Sequence, residues 1–556
     1  MKRTALRILF LLVLTASVWG LSAFRIADDN RFEISRNLDI FTTVIRELLL
    51  YYVDPTDSGL LIEEGIVSML ESLDPYTQYI PEEDAEDYRF ITTGQYGGIG
   101  ALIGQRDEDV IITDPYEGFP AQKGGLMAGD ILRSIDGKPL KGKKYDEVSR
   151  MLKGTPGTEL VLTIERPGET KPLKKSLRRQ EITIPNVPYY GIIDPGIGYI
   201  RLSGFTDHAA REVKAATEDL VQKKKVKGIV LDLRGNPGGL LNEAVDIVNV
   251  FVDKGQEVVS TRGRVKEWDK SYRTVSPATD TQTPLVVLVN SSSASAAEIV
   301  SGALQDLDRA IVIGQRTFGK GLVQTTRPLT YNAQLKITTA KYYIPSGRCI
   351  QTIDYSQRNA DGSVGKVPDS LISEFKTKSG RKVYDGGGIL PDHVTNQANA
   401  SSLSQALVTN YVLFDYATQY RFKTASIGNA RSFHVDDALY EDFIRWQSDK
   451  SYDYTTDSEK QLARLKESAI KEKYFDHIRA RYEQVEKALS HDRGTDLRIH
   501  REEVALLLEN EIVSRFHYQN GRIESAFDDD PDILLACKAI LEPQTFKSIL
   551  QRNYTP

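Results

Sequence analysis

The sequence predicts a multidomain α/β chain with a helical front, a glycine-punctuated β-rich middle and a charged helical tail. Three observations carry that expectation. At 556 residues, 40% apolar and 27% charged, the chain is too long for one core, since domains hold roughly 100–200 residues each. Two apolar runs of buried-strand type, Gly228–Leu233 and Pro284–Val289, each pass through a sharp small-residue turn into a helical pattern. Beyond about residue 397 the apolar spacing becomes helical and stays so, among many charges of both signs.

Composition removes several chemistries. Lys+Arg 71 against Asp+Glu 77 leaves a net charge of −6, so no general basic field points to nucleic acid. Two cysteines, Cys349 and Cys537, make neither a disulfide framework nor a four-cysteine zinc site. The seven histidines show no short metal-ligand spacing. Their scarcity also disfavours a nucleophile that relies on a histidine base.

At the front, Lys2, Arg3 and Arg7 precede an apolar stretch from Ile8 to Phe24, the pattern of a secretory signal. Gly20-Leu21-Ser22 offers small residues for cleavage after Ser22; at 17 residues, broken only by small residues and Thr15, the stretch also suffices for a retained anchor across a thin bilayer. Either way residues 1–24 predict export. Over 29–87, Ile34, Leu38, Phe41, Ile45 and Leu48 recur at helical spacing, and a second helix runs from Leu60 to Leu73, ending before Pro75. These apolar faces call for a partner within the chain or in a second copy. The polar stretch Asp354–Gly388 is predicted to be a mobile loop. In the tail, 397–556, Leu403, Leu407, Tyr411 and Phe414 make one stripe and Val504, Leu507, Leu508 and Ile512 another. Lys460 to Leu489 reads as a solvated helix pair, or as a dimerisation or adaptor-docking element.

Between 88 and 182, Gly97-Gly98-Ile99-Gly100-Ala101 opens a strand-like run. It is followed by Ala121 to Leu132, by the turn Ile135-Asp136-Gly137, and by a short amphipathic helix from Tyr145 to Leu152. This order of glycines, aspartates and apolar residues resembles a PDZ domain of the bacterial type. Glycines let successive backbone N–H groups point at one carboxylate, while the neighbouring strand edge pairs with an extended peptide. Gly98, Ile99 and Gly100 are thus expected to hold a substrate C-terminus, with Leu102, Val148 and Leu152 lining its side-chain pocket.

The residues that carry chemistry lie between 183 and 396. Arg234-Gly235-Asn236-Pro237-Gly238-Gly239 follows the first buried strand, and Asn290 to Glu298, with Ser291, Ser292, Ser293 and Ser295, follows the second. A strand, a tight turn and a helix present a nucleophile and free backbone N–H groups at a helix N-terminus. A plainer reading is helix capping, with Glu298 completing a capping box. The third segment, Arg316-Thr317-Phe318-Gly319-Lys320-Gly321-Leu322-Val323-Gln324, supplies a base. His208 and His393 have no triad-like neighbours, whereas burial can lower a lysine toward neutrality. A four-residue separation places Lys320 and Gln324 on one strand face, where Gln324 can orient the amine.

The order of these motifs, with Leu73-Asp74-Pro75, Tyr343-Ile344-Pro345-Ser346-Gly347-Arg348 and Gly386 to Asp392, resembles the carboxyl-terminal processing (tail-specific) proteases across roughly residues 30–396. The resemblance implies a crotonase/ClpP-like mixed α/β protease core with an inserted PDZ domain. It implies Ser295 as nucleophile, Lys320 as base and Gln324 as support. It also implies an oxyanion hole from the N–H of Ala296 and of Gly238, with Gly239 the alternative. The implied reaction is cleavage near the C-termini of protein substrates with apolar or unstructured tails, in the cell envelope, with no metal or cofactor. Terminal helices would serve dimerisation or adaptor docking. Two rivals differ in class: a non-catalytic PDZ adaptor on a degenerate core, disfavoured by intact Ser295, Lys320 and Gln324, and an acyl-CoA enzyme, which rests on fold analogy alone.

Overall fold

The computed structural model describes residues 31–551 apart from 195, 359–363, 367–368, 397–399 and 490–491. The export segment predicted over 1–24 lies outside the described residues. The chain divides into two units, residues 1–82 with 324–338, and residues 83–323 with 339–556.

At the centre of the larger unit is a six-stranded sheet. It runs in the order β8 (Tyr189–Asp194), β9 (Ile197–Arg201), β10 (Gly228–Asp232), β11 (Leu285–Val289), β12 (Ile311–Gly314) and β13 (His393–Val394). Only the β8–β9 pair is antiparallel; the other four pairs are parallel. Helices α2 (Ala209–Glu218), α3 (Leu241–Phe251) and α4 (Ala296–Asp306) connect β9, β10, β11 and β12 in turn. Because these strands are neighbours in sequence order, right-handed crossovers lay all three helices on the same face. The alternation of side chains bears this out. Ile200, Ile229, Leu231, Leu285, Val287, Val289 and Val312 pack with Val213, Val248, Val300 and Leu304 of the helices.

The intervening residues, Ile197, Tyr199, Val230, Val286, Leu288, Ile311 and Ile313, point to the opposite face, and the C-terminal helices cover them. Phe527, then Ile533, Ala536, Cys537 and Ile540 of α7 (Pro531–Leu541), and Phe546 and Ile549 of α8 (Pro543–Leu550), complete that second apolar layer. A strand with both faces buried reads as a near-continuous apolar run, which is why Ile229–Leu231 of β10 and all of β11 are hydrophobic, the buried Asp232 that ends β10 being paired to arginines. At the N-terminus of α7, Asp530 and Asp532 hold the guanidinium of Arg234 at 2.8 and 3.2 Å.

The glycine-rich region builds an antiparallel sheet. Its order is β2 (Ala101–Arg106), β3 (Asp109–Pro115), β4 (Ile131–Ile135), β5 (Glu159–Glu165) and β6 (Leu173–Arg178). Beside it, β1 (Gln95–Gly98) pairs with β7 (Gln180–Thr183), and α1 (Tyr145–Leu152) packs Val148 and Leu152 into the core. Strand β2 is the sheet's outer strand, as peptide addition requires.

Two expectations change. The stretch 354–388 is not one open loop: Ile353–Arg358 pairs with Val364–Lys366, and Glu374–Lys376 pairs with Lys382–Tyr384. Its anchor is Arg381, 9% exposed and ion-paired to Asp308 at 2.7 Å and to Asp392. The stripe from Leu403 to Phe414 is broken at Tyr411, whose positive φ of 58° separates helices α5 (Ser402–Thr409) and α6 (Val412–Lys423). Leu403 and Leu407 face the tail's own core, while the Tyr411 hydroxyl reaches the carbonyl of Gln105 on β2 at 3.3 Å. The helix pair expected within 460–489 is present as Asp457–Lys471 and Phe475–Leu489, with only Ala469 and Tyr482 buried.

The smaller unit holds a helix over 31–51 and one at Ser58–Glu71. Strand Gln78–Ile80 pairs there with residues 334–336. Phe32, Leu38 and Phe41 remain 68%, 59% and 44% exposed.

Candidate active site

Three turns leave the carboxyl ends of adjacent parallel strands, where ligands bind in open α/β sheets. They are 233–240 after β10, 290–295 after β11 and 315–321 after β12, and hydrogen bonds stitch them together. Ser293 Oγ donates to the Leu233 carbonyl at 2.8 Å, Gly235 N–H to Asn290 Oδ1 at 2.9 Å, and Ala294 N–H to the Asn236 carbonyl at 3.0 Å. Phe318 N–H donates to the Ser293 carbonyl at 3.1 Å, which brings in the third turn.

Ser295 occupies the point where the β11 turn becomes α4. Its φ of 56° and ψ of −114° lie outside the regions a non-glycine residue ordinarily adopts. A sharp, strained strand-to-helix turn of this kind lifts a serine hydroxyl clear of its surroundings, and the Ser295 side chain is half-buried at the sheet's edge. Ala296, the next residue, is the first of α4, so its N–H has no carbonyl one turn back to donate to.

The Asn-Pro-Gly-Gly turn lies directly against this corner. A β-carbon on Gly238 would stand 2.7 Å from the Ala294 carbonyl, 2.8 Å from Ala296 N and 2.9 Å from Ser295 Cβ, at a φ of 95° that glycine alone adopts readily. Gly239 turns away instead, against Phe205. The Gly238 N–H donates to Asn236 Oδ1 at 2.8 Å. At the base of the turn, Asp232 is fully buried and meets Tyr199 Oη at 2.7 Å, Arg201 at 2.8 Å and Arg234 at 2.7 Å. Burial alone would raise its carboxyl, but the two guanidiniums hold it well below the usual carboxylate range.

Lys320 is half-buried and precedes a strand, Leu322–Pro328, rather than lying in it. Strand alternation therefore does not relate it to Gln324. The reason is local: Gly319, at φ 86°, is packed so closely on Thr352 that no side chain fits, and the backbone on both sides is bonded elsewhere. Gln324 belongs to the smaller unit, where its amide donates to Thr338 Oγ1 at 3.1 Å.

Sequence reasoning gave too little weight to Glu298. It is fully buried, and its carboxylate accepts four bonds. Ser295 N–H and Lys320 N–H reach Oε2 at 2.8 and 2.9 Å; Gly319 N–H and Thr317 Oγ1 reach Oε1 at 2.8 and 2.5 Å. Burial pushes the carboxyl up to about 7 in spite of those bonds. Tyr342 makes a second link, donating to the carbonyls of Ser295, at 3.1 Å, and Lys320. The signal for Glu298 was its place three residues after the serine; nothing in the sequence pairs Tyr342 with either turn.

In the glycine-rich domain the carbonyls of Gly97, Ile99 and Gly100 are taken by Gly154, Ala121 and Tyr116 N–H groups at 3.0, 2.8 and 2.9 Å. Gly98 pairs with Gln180, and Ile99 is buried. Leu102 does not share a pocket with Val148 and Leu152. It is 42% exposed, and its neighbours Ala101 and Ile103 pack on that cluster instead, because successive strand side chains point to opposite faces.

Comparison with known proteins agrees with this anatomy. Residues 196–361 match the model of peptidase family S41, 111–166 that of the PDZ domain, and 403–540 that described as "Probable PDZ-protease, C-terminal helical domain". A carboxy-terminal-processing protease of Bartonella bacilliformis is 40% identical over 352 residues, 63% of this chain and 78% of that one. A "Probable CtpA-like serine protease" of Staphylococcus aureus is 37% identical over 317 residues, 56% of this chain and 62% of that one. Among solved structures, the photosystem II D1 C-terminal processing protease is 32% identical, covering 56% of this chain and 83% of its own, with a TM-score of 0.34. The chain is a serine-type peptidase of family S41 and belongs to the carboxy-terminal-processing proteases with a PDZ domain and a C-terminal helical domain.

Proposed function

We propose that Ser295 is the nucleophile and Lys320 the general base of this peptidase, acting through an acyl-enzyme. The observation that carries the reading is the strained backbone of Ser295 at the head of α4, with the glycine turn on one side and the lysine segment bonded in on the other. A neutral Lys320 amine takes the Ser295 hydroxyl proton as Oγ attacks the scissile carbonyl. The tetrahedral intermediate collapses with that proton passing to the leaving amine, and the lysine then activates the water that releases the acyl group. Ala296 N–H supplies one oxyanion donor. Gly238 N–H supplies the second by exchanging Asn236 Oδ1 for the developing charge, with Gly239 the alternative donor; removing one such donor typically costs about 10²–10³ in rate. Gln324 is assigned to orient the amine from the motif Lys320-Gly321-Leu322-Val323-Gln324 alone.

Substrates, in this reading, are proteins with extended apolar C-terminal tails. A tail adds as a strand to β2, its carboxylate on the Gly98–Gly100 loop and its last side chain against Ala101, Ile103 and Val148. The charged-then-apolar front segment supports export to the cell envelope, and the exposed apolar face of helix 31–51 supports pairing with a second copy. Wild type, Ser295→Ala and Lys320→Ala incubated with a tailed reporter, with the cuts mapped by mass spectrometry, test the core of this. Cleavage by wild type alone is expected; undiminished cleavage by either variant refutes the dyad.

A further inference from the structure

Helix capping does not account for Glu298. A capping-box glutamate needs one bond, to the N–H of the residue that opens the helix, and Glu298 makes that bond to Ser295 at 2.8 Å. The other three come from Thr317, Gly319 and Lys320, on a segment about twenty residues away. One buried carboxylate therefore fastens the turn that carries the serine to the turn that carries the lysine. Its four donors are neutral groups. The titratable residues on the elements around it are Lys320, Tyr342, whose hydroxyl sits on the Ser295 and Lys320 carbonyls, and Arg316, whose guanidinium is turned to the Gly387 carbonyl at 3.0 Å.

We propose that Glu298, as the carboxylate, is the positioning residue of the proteolytic site, setting the spacing between the Ser295 and Lys320 turns so that cleavage requires its charged form. This rests on the Ser295–Lys320 assignment. An ionised carboxylate offers acceptors on both oxygens and meets all four donors. A carboxylic acid carries a proton on one oxygen, and that O–H must face either the Ser295 and Lys320 N–H pair or the Gly319 N–H and Thr317 hydroxyl pair. The Thr317 hydroxyl can turn to accept, but it already receives the Ile389 N–H at 2.7 Å, and Gly319 N–H would lose its partner. Burial brings the proton's uptake into the neutral range, so the clamp gains and loses its charge within the pH range over which cleavage can be followed.

The test uses the full chain and a reporter with an unstructured apolar tail, with kcat and KM measured from pH 5.5 to 9. Glu298→Gln keeps the side chain's size but puts an NH2 where an acceptor stood; Glu298→Asp keeps the charge but shortens the reach. Glu298→Gln is expected to lower kcat at pH 8 by roughly 10²-fold, the effect of a small misplacement of reacting groups, with KM unchanged within twofold. Glu298→Asp should lie between it and wild type. In wild type two groups must lose a proton, so log kcat should fall on the acid side with a slope approaching two; in Glu298→Gln the slope should be one. A wild-type slope of one overturns the proposal even if the variants fail to fold. So does a Glu298→Gln enzyme that melts lower but keeps the wild-type kcat and acid limb. Should Lys320→Ala retain full cleavage, the dyad itself fails; with Lys320→Ala dead and Glu298→Gln fully active, only the role of Glu298 fails.

Discussion

Deleting residues 527–556 should unfold the catalytic sheet, because α7 and α8 form its second wall. The deletion uncovers eight side chains of β8 to β12: Ile193, Ile197, Tyr199, Val230, Val286, Leu288, Ile311 and Ile313, each 2% exposed or less in the intact chain. Burying a large apolar side chain contributes about 1.5–3 kcal/mol, so the loss over eight of them is on the order of 12–24 kcal/mol. That equals or exceeds the whole stability of a typical domain, about 5–15 kcal/mol. Arg234 would also lose Asp530 and Asp532, leaving Asp232 to hold its guanidinium at the base of the Asn-Pro-Gly-Gly turn. The comparison is a chain in which the hairpin 457–489 is replaced by a short linker, since only Ala469 and Tyr482 are buried there. Thermal unfolding followed by far-ultraviolet circular dichroism, with size-exclusion chromatography, reads both. The hairpin deletion should melt cooperatively near wild type, while the 527–556 deletion should aggregate or show no cooperative transition. A monodisperse 527–556 deletion with a melting midpoint within a few degrees of wild type would refute the two-walled sheet.

Three further outcomes follow from the same structure. Gly238→Ala should reduce kcat by about 10²–10³ with a modest fall in melting temperature, since its methyl would press on Ala296 N and the Ser295 side chain; steady-state kinetics on the folded variant checks it. Glu298 makes stability depend on pH. Its carboxyl stands at about 7 in the fold against 4.5 in the unfolded chain, so the native state holds the extra proton between those values. The stabilisation is complete below pH 4.5 and is lost as pH rises through 7, a change of about 3 kcal/mol. Denaturant titrations at pH 5 and 8 should show this fall in wild type and a smaller one in Glu298→Gln. Finally, Leu38→Glu with Phe41→Glu should shift sedimentation from a dimer to a monomer with secondary structure intact; an unchanged species in both would show that the exposed helix face is not the pairing surface.

How far the sequence could be read is clearest at particular residues. The strands after 228 and 284, the helices that follow them, and the short helix 145–152 were legible because their apolar periods are set by local geometry and burial. The tight turns that hold Ser295 and Lys320 were legible because glycines and small residues crowd there for steric reasons; the chemistry of the two side chains stays a proposal. Leu102 misled, since a strand-like run does not by itself reveal which face meets the helix. Tyr411 misled as well: its spacing from Leu403 and Leu407 is helical, yet a positive φ there turns it toward β2.

The sequence alone determined the groups on offer: a serine and a lysine in glycine-rich turns, few histidines, two cysteines far apart in the chain and the glycine-rich loop of a PDZ domain. Composition and local sterics suffice for that, because they act over a few residues. Tertiary structure decided what joins those pieces. It made Glu298 a bond between two turns as well as a helix cap, and it set residues 527–550 against the sheet as its second apolar wall. Both depend on which distant segments come to share one buried space, where an unpaired carboxylate or an uncovered strand costs several kcal/mol, and no period along the chain encodes that.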